Sequence, residues 1–220
     1  MKLIFPLKKD TQLIDKINYS ILFFIRISLI IAIVSSIFTQ RWTILFVAII
    51  TLLLTFLPKL FEARYKINLP LEFEVIIIAF IYATLFLGEA HGYYVKFWWW
   101  DAILHTGSAI VFGFIGFLIL YVLHKGDKIK ASPSIIAFFA FFFAMGIGAL
   151  WEIFEFSIDQ LFRSNMQKSG LIDTMWDLIV NSFGALIASL SGYFYLKKEE
   201  VFLFRRLIER FTKENERILK

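Results

Sequence analysis

Six long runs of apolar residues alternate with short polar segments along the chain. A helix needs about 20 mainly apolar residues to cross the hydrocarbon core of a bilayer. The runs reach or approach that length at Ile17–Phe38, Trp42–Leu57, Glu74–Leu87, Ala102–Leu123, Pro133–Phe156 and Trp176–Leu196. The pattern therefore predicts an all-α, polytopic membrane protein with six transmembrane helices.

The remaining segments complete a single integral-membrane domain over residues 1–220. Residues 1–16 are predicted to be a cytoplasmic N-terminal segment, 17–196 the helix bundle, and 197–220 a cytoplasmic amphipathic helix. The last prediction rests on a set of apolar residues at helical spacing, with arginines beside them. The apolar residues are Phe204, Leu207, Ile208 and Phe211. Such a helix suits either the anionic inner leaflet or packing against cytoplasmic loops. Spans two and three are short and bracket residues 58–66, which are predicted to form a polar turn.

Small residues recur four positions apart within spans four and six. The pairs are Ala109 with Gly113, and Gly184 with Ala188. In membranes, small residues at this spacing let two helix backbones approach closely. We therefore expect these positions at helix–helix contacts.

Composition excludes a soluble or disordered chain of 220 residues. Hydrophobic residues make up 59% of the sequence, and the mean hydropathy is +0.73. A typical globular domain is only about 45–50% apolar, and a disordered chain is less apolar still. Cysteine is absent, which excludes disulfides, thiolate metal sites and a cysteine nucleophile.

The basic residues predict an orientation in the membrane rather than a nucleic-acid partner. The net charge is +5, but the positive residues lie between the apolar runs. Eighteen of the 23 Lys and Arg residues fall on one side of the predicted bundle and four on the other. Since cationic loops are retained in the cytoplasm, both termini are predicted to lie there, in a plasma (inner) membrane protein. Arg26 lies inside span one. It is either a buried functional charge or, as its position a few residues from the inner boundary favours, a residue that snorkels to the interface.

Acidic residues and histidines cluster near the predicted outer ends of the spans. Asp101 and His105 are four residues apart where span four begins. Residues at this spacing share one face of a helix. The same holds for Glu152, Glu155 and Asp159 at the end of span five, and for Asp173, Asp177 and Asn181 at the start of span six. We expect these side chains, together with Glu89 at the end of span three, to meet at one depth.

Carboxylates gathered in this way repel one another unless a positive charge lies among them. The outer side has too few basic residues to pair with them, so a bound divalent metal is the simplest solution. Oxygen ligands with an imidazole suit Mg²⁺, Mn²⁺, Fe²⁺ or Zn²⁺. The candidate ligands are Asp101, His105, Glu152, Asp177, Asn181 and Glu89. The alternative is a set of solvated carboxylates at helix ends, which explains the aspartates at helix N-termini better than Glu152 and Glu155.

The favoured function is an enzyme at the outer leaflet that acts on a lipid or a lipid-linked envelope substrate. The metal would polarise an oxygen of the substrate or activate water, and Glu155 or Asp173 would be the general base. Membrane lipids are the expected partners. Two alternatives stay open: a cation- or proton-coupled transporter, and a non-catalytic membrane module that binds a partner.

Four motifs in this order resemble the YjdF-like family of bacterial inner-membrane proteins. They are Leu87-Gly88-Glu89, Trp99–His105, Trp151–Glu155 and Asp173–Asp177. The pattern is more distantly similar to the VanZ-like proteins associated with teicoplanin resistance. Their Asp-Lys-x2-His corresponds to Asp101 and His105, with Ala102 replacing the lysine. The resemblance implies a four-helix core made of spans three to six and no established activity.

Overall fold

The computed structural model describes residues 13–197 and 202–216, and these residues are helical apart from short connections. The chain divides into two compact units after Phe97. Within the described ranges, six helical segments of 20 to 30 residues are long and apolar enough to cross a membrane. The predicted all-α class and the six spans are confirmed. Part of the predicted N-terminal segment, residues 1–12, lies outside the described ranges.

The first unit contains three of the six spans. Its elements are α1 (Leu13–Phe38), α2 (Trp42–Leu54), α3 (Leu57–Tyr65), α4 (Leu71–Ile81), a π-helical segment (Tyr82–Ala90) and α5 (Tyr93–Lys96). The polar turn predicted at residues 58–66 is wrong, because residues 57–65 form the helix α3, which continues the helical segment of α2. Pro58 stands in the first turn of α3, where a missing N–H costs no helical hydrogen bond. Lys66, with a left-handed backbone, ends this helix.

An ionic network around the buried Glu74 joins three helices of the first unit. The Arg26 guanidinium donates to the backbone carbonyl of Thr55 over 3.1 Å and lies 3.9 Å from the Glu74 carboxylate. Lys59 contacts the other oxygen of Glu74 over 2.9 Å. Arg26 is therefore paired inside the protein, and its snorkelling to the membrane interface stays a prediction. A buried charge is stable only when it is paired and hydrogen-bonded, and the sequence pattern gave no hint of these partners.

The second unit is built from three long helices that pack against one another in every pairing. These are α6 (Trp100–Lys125), α7 (Pro133–Phe162) and α8 (Leu171–Leu196). Each extends beyond or matches its predicted span. Because span three belongs to the first unit, the four-helix core of spans three to six stays a prediction.

Small residues lie where these helices meet, as their spacing predicts. A methyl group added at Gly184 would collide with the backbone carbonyl of Thr106 on α6, and one added at Gly113 would lie 2.6 Å from the Cβ of Ala188. The Thr106 hydroxyl is also 3.4 Å from the carbonyl oxygen of Val180 on α8. The close approach of α6 and α8 brings their polar residues within contact distance.

A short amphipathic helix, α9 (Phe202–Glu214), follows the bundle in the second unit. Ile208 on its apolar face is fully buried, and α9 contacts α8. Packing against the protein therefore accounts for at least part of the apolar face. The structure does not describe the Phe204 side chain or residues 198–201 and 217–220 of the predicted amphipathic segment.

The glycine at the α6–α8 contact leads to a stability prediction. Gly184→Val is expected to lower the free energy of unfolding by about 1–3 kcal/mol, the usual cost of overfilling a packed interior. The matched control is Gly146→Val on α7, where an added Cβ meets no atom within 4 Å. Thermal unfolding of both variants in detergent, followed by circular dichroism, measures the difference. Equal melting temperatures would contradict the close contact.

Candidate metal centre

Polar side chains from three helices of the second unit lie close together at one end of that unit. His105 lies near the beginning of α6, Glu152 in the second half of α7, and Asp177 and Asn181 near the beginning of α8. The chain reverses direction between successive helices, so these positions come to the same level. All four residues are more than nine-tenths buried. The structure therefore brings together residues that lie up to 76 positions apart in the sequence.

His105 is at the centre of this group, and its two ring nitrogens face different partners. On one side, Nε2 lies 3.5 Å from Asp101 Oδ1 and 3.9 Å from Asp177 Oδ2. One ligand atom from each of these three residues lies within 4.8 Å of the others. Asp101 comes from the same helix face as His105, and Asp177 comes from the helix packed against it. These three residues form what we call the His105 triad.

On the opposite side of the ring, Nδ1 faces a carboxylate and an amide. Glu152 Oε1 lies 3.8 Å from Nδ1, and Asn181 Nδ2 lies 3.5 Å from it. Gly148, one turn before Glu152, makes room for Asn181, since a Cβ at this position would lie 2.6 Å from the amide nitrogen. Glu152 and Asn181 therefore belong to the same cluster as the triad but contact the other edge of the imidazole.

Several carboxylate oxygens in this cluster have no hydrogen-bond partner. Among the described residues, this is true of both oxygens of Glu152 and of Oδ2 of Asp177. Thr174 on α8 lies near the Glu152 carboxylate, but no hydrogen bond of normal geometry joins the two side chains. A buried polar group without a partner costs about 1–3 kcal/mol, and a charged one costs more. Among the described residues, no hydrogen-bond donor satisfies these three oxygens.

The composition of the triad suits a divalent cation. Two carboxylates and one imidazole are ligands that Zn²⁺, Mn²⁺ and Fe²⁺ accept, and Mg²⁺ accepts the oxygens. Metal–ligand bonds to nitrogen and oxygen are about 2.0–2.2 Å long, so three ligand atoms within 4.8 Å of one another would have to move closer together to bind one ion. Three protein ligands also leave coordination positions open for water or substrate.

A lysine covers the exposed edge of the triad. Lys168, in the loop between α7 and α8, forms an ion pair with Asp101 Oδ2. Asp159 anchors this loop by accepting hydrogen bonds from the Ser164 hydroxyl and from the backbone N–H groups of Met166 and Gln167. Asp159 shares a helical face with Glu152 by spacing, yet it holds the loop instead of joining the cluster. Sequence reasoning missed the role of Lys168, although it is a rare cation on a side with few basic residues.

Glu155 and Asp173, the candidate general bases, lie around the cluster and are half-buried. Glu155 accepts a 2.9 Å hydrogen bond from the indole N–H of Trp151 and interacts electrostatically with Glu152. Asp173 lies within electrostatic range of Lys168 and Asp101. Neither residue contacts the His105 ring within the distances given for the triad. Their catalytic roles stay predictions.

Glu89 is the one candidate ligand that belongs to the first unit. It is exposed near the end of the π-helical segment. Its neighbour His91 packs against the ring of Phe86 and contacts that residue's carbonyl oxygen over 2.8 Å. The role of Glu89 as a metal ligand stays a prediction.

Comparison with known proteins places the chain in a family defined by its sequence. Residues 21–198 match the family described as "Predicted membrane protein (DUF2238)". An "Uncharacterized protein" of Thermotoga maritima is 27% identical over 150 residues, covering 68% of this chain and 76% of the relative. No solved structure matches the chain. The YjdF-like resemblance is consistent with this family, whereas the VanZ-like similarity stays a prediction. Since the match covers most of its length, the chain belongs to the family of predicted membrane proteins DUF2238.

Proposed function

We propose that the second unit binds a divalent metal ion through Asp101, His105 and Asp177. The observation that carries the proposal is the unpartnered, buried oxygen of Asp177 beside the His105 nitrogen. Burying an uncompensated carboxylate is costly, and a metal ion would satisfy both side chains at once. The solvated alternative does not fit, because Glu152, Asp177 and Asn181 are at most 5% exposed.

Glu152 and Asn181 are proposed to position the imidazole rather than to bind the metal. Metal-binding histidines almost always donate their second ring N–H to a carboxylate, a carbonyl or a water. Glu152 Oε1 lies 3.8 Å from Nδ1 and would become such an acceptor if the two side chains moved closer by about 1 Å. With a proton on Nδ1, Nε2 would stay unprotonated and available to a metal ion. That proton would also compensate the Glu152 carboxylate, whose oxygens otherwise lack a partner.

The reaction proposed for this site is metal-dependent chemistry on a lipid or lipid-linked substrate at the outer leaflet. Two observations support it: the site lies near the ends of three helices long enough to span a membrane, and half-buried Glu155 and Asp173 flank it. Three protein ligands would also leave coordination positions of a metal ion open. A bound metal ion would polarise a substrate oxygen and lower the pKa of bound water. Glu155 or Asp173 would accept the proton of that water. The outward orientation rests on the distribution of basic residues.

Metal titration of the purified full-length chain tests the binding step. The protein, without a histidine tag and treated with chelator, is titrated with Mn²⁺ and Zn²⁺ by calorimetry. We expect one site per chain in the parent. Asp177→Asn is expected to weaken affinity at least 10-fold because the amide loses the ligand charge. The control Glu209→Gln removes an exposed carboxylate from α9 and should leave affinity unchanged.

Two results would count against the proposal. An absence of binding in the parent would remove the metal site, and equal affinities in Asp177→Asn and Glu209→Gln would place the metal elsewhere. Metal-dependent release of a headgroup from lipid-linked substrates in proteoliposomes then tests catalysis. Metal binding without turnover would favour the non-catalytic module, and metal-independent ion flux would favour the transporter.

A further inference from the structure

We propose that a groove between α7 and α8 holds one acyl chain of an anionic phospholipid, whose headgroup lies beside Lys197. The groove has a volume of about 390 Å³. It opens on the surface of the second unit, since Phe138, Leu186 and Leu190 line it and are exposed. The inference does not depend on the proposed metal site, which lies towards the other end of the same two helices.

The direction and length of the groove suit a lipid chain. Because α7 and α8 run in opposite directions, Ser134 and Tyr193 lie at one end of the groove, and Phe141 and Leu186 lie at the other. Seven residues of α7 separate the two ends, which is about 10 Å along the helix. One leaflet of the hydrocarbon core is about 15 Å deep, half of the usual thickness. The groove therefore follows most of the depth that an extended lipid chain occupies.

The Tyr193 end of the groove is positively charged. Lys197 is exposed, and its Nζ lies 5.9 Å from the centre of the Tyr193 ring. Ser134 stands in the first turn of α7, and the N-terminus of a helix attracts anions. The segments that precede α7 and follow α8, residues 126–132 and 197–220, contain ten basic and six acidic residues. The excess of positive charge favours an anionic headgroup at this end.

The headgroup has to provide the selectivity for an anionic lipid. Lipid tails are as apolar as the leucines that line the groove, so the chain by itself gains little by entering it. Basic pockets between transmembrane helices on the cytoplasmic side bind acidic headgroups. The distribution of basic residues predicts that this end faces the cytoplasm, where the leaflet contains anionic lipids.

A lipid fits the groove better than a second protein chain does. A stable protein interface buries about 1,200–2,000 Å² in total. The groove extends over only about two turns of each helix, from Ser134 to Phe141 and from Leu186 to Tyr193. A patch of this length holds a single chain of a lipid and is too short for a stable dimer.

Native mass spectrometry of the full-length protein tests the inference, with dioleoyl phosphatidylglycerol and dioleoyl phosphatidylcholine as the probes. We expect one tightly bound phosphatidylglycerol per chain and weaker binding of phosphatidylcholine. Ala137 lines the groove, and Ala137→Phe is expected to weaken phosphatidylglycerol binding about 10-fold or more, because the new ring and the lipid chain cannot share one space. The control Gly146→Phe places the same ring on α7 outside the groove, where an added Cβ meets no atom within 4 Å.

Replacement of Lys197 tests the headgroup contact separately from the fit of the chain. Lys197→Gln is expected to weaken phosphatidylglycerol binding about 5-fold, the effect of one lysine near an anionic lipid, and to leave phosphatidylcholine binding unchanged. The matched control is Lys125→Gln. Lys125 also lies over a tyrosine ring, 5.7 Å from the centre of Tyr121, but on α6. Because Lys197 is exposed, this test holds even if Ala137→Phe does not fold.

Four outcomes would overturn the proposal. Equal phosphatidylglycerol binding in Ala137→Phe and Gly146→Phe would place the lipid elsewhere on the surface. Equal affinity of the parent for the two lipids, or equal losses in Lys197→Gln and Lys125→Gln, would remove the headgroup site. A dimer of the parent that Ala137→Phe dissociates would assign the groove to a second copy of the chain.

Discussion

Replacing His105 by alanine is expected to weaken divalent-metal binding by about 100-fold or more. Mutation of a residue that only orients a metal ligand already costs about 10–100-fold in affinity. His105 supplies the one nitrogen ligand of the triad and contacts all the other members of the cluster. Calorimetric titration with Zn²⁺ and Mn²⁺ measures the loss. The matched control is His124→Ala, at the other end of the same helix.

Comparison with Glu152 separates ligands from positioning residues. Glu152→Leu should cost about 10–100-fold in affinity because it removes the acceptor for Nδ1–H. Glu152→Gln should cost less, since its amide oxygen can still accept that hydrogen bond. If Glu152→Gln lost as much affinity as His105→Ala, Glu152 would be a direct ligand. Unchanged affinity in His105→Ala would remove the metal centre altogether.

Breaking the ionic network of the first unit is expected to produce the largest loss of stability. In Glu74→Gln, the half-buried Arg26 loses its carboxylate partner, and the exposed Lys59 keeps only Glu62. Removing one partner of a buried ion pair typically costs about 3–5 kcal/mol, because it leaves an uncompensated charge. The lower melting temperature is measured in detergent by circular dichroism or by intrinsic tryptophan fluorescence. Metal affinity of the folded fraction serves as a separate readout.

The control for Glu74 lies on the same helix. Glu72 is half-buried in the first turn of α4, where Glu74 is 4% exposed. Glu72→Gln removes the same charge from a more accessible position, so a loss below about 1 kcal/mol is expected. A similar melting temperature for the two variants would show that the network contributes little to stability.

Much of the candidate site follows from helical periodicity. Asp101 and His105 are four residues apart, and so are Asp177 and Asn181. Residues at this spacing share a helix face whichever helix they belong to. Three antiparallel apolar runs of similar length then bring these faces to one end of the second unit. Periodicity alone could not separate Asp159 from the cluster. Asp159 shares a helix face with Glu152 and Glu155, but in the structure it holds the loop between α7 and α8.

Contacts between distant segments could not be obtained in the same way. The ion pair of Lys168 with Asp101 joins residues 67 positions apart. The ion pairs of Glu74 with Arg26 and Lys59 join three helices. Such pairs depend on helix rotation and loop path, which hydropathy does not encode. The helix α3 was missed for a related reason. Its charged residues are typical of a polar turn, and the ion pairs of Lys59 with Glu62 and Glu74 become apparent only in the folded structure.

The sequence by itself determined that this is a membrane protein, how many helical spans it has and which residues can share a helix face. These properties depend on apolar length and on a fixed period of 3.6 residues per turn, so they can be read locally. The tertiary structure alone decided which edge of the His105 ring faces which carboxylate. It also decided that Asp159 binds a loop and that Lys168 covers the triad. These features depend on how three helices rotate and approach, and small residues such as Gly148 and Gly184 set that distance through packing.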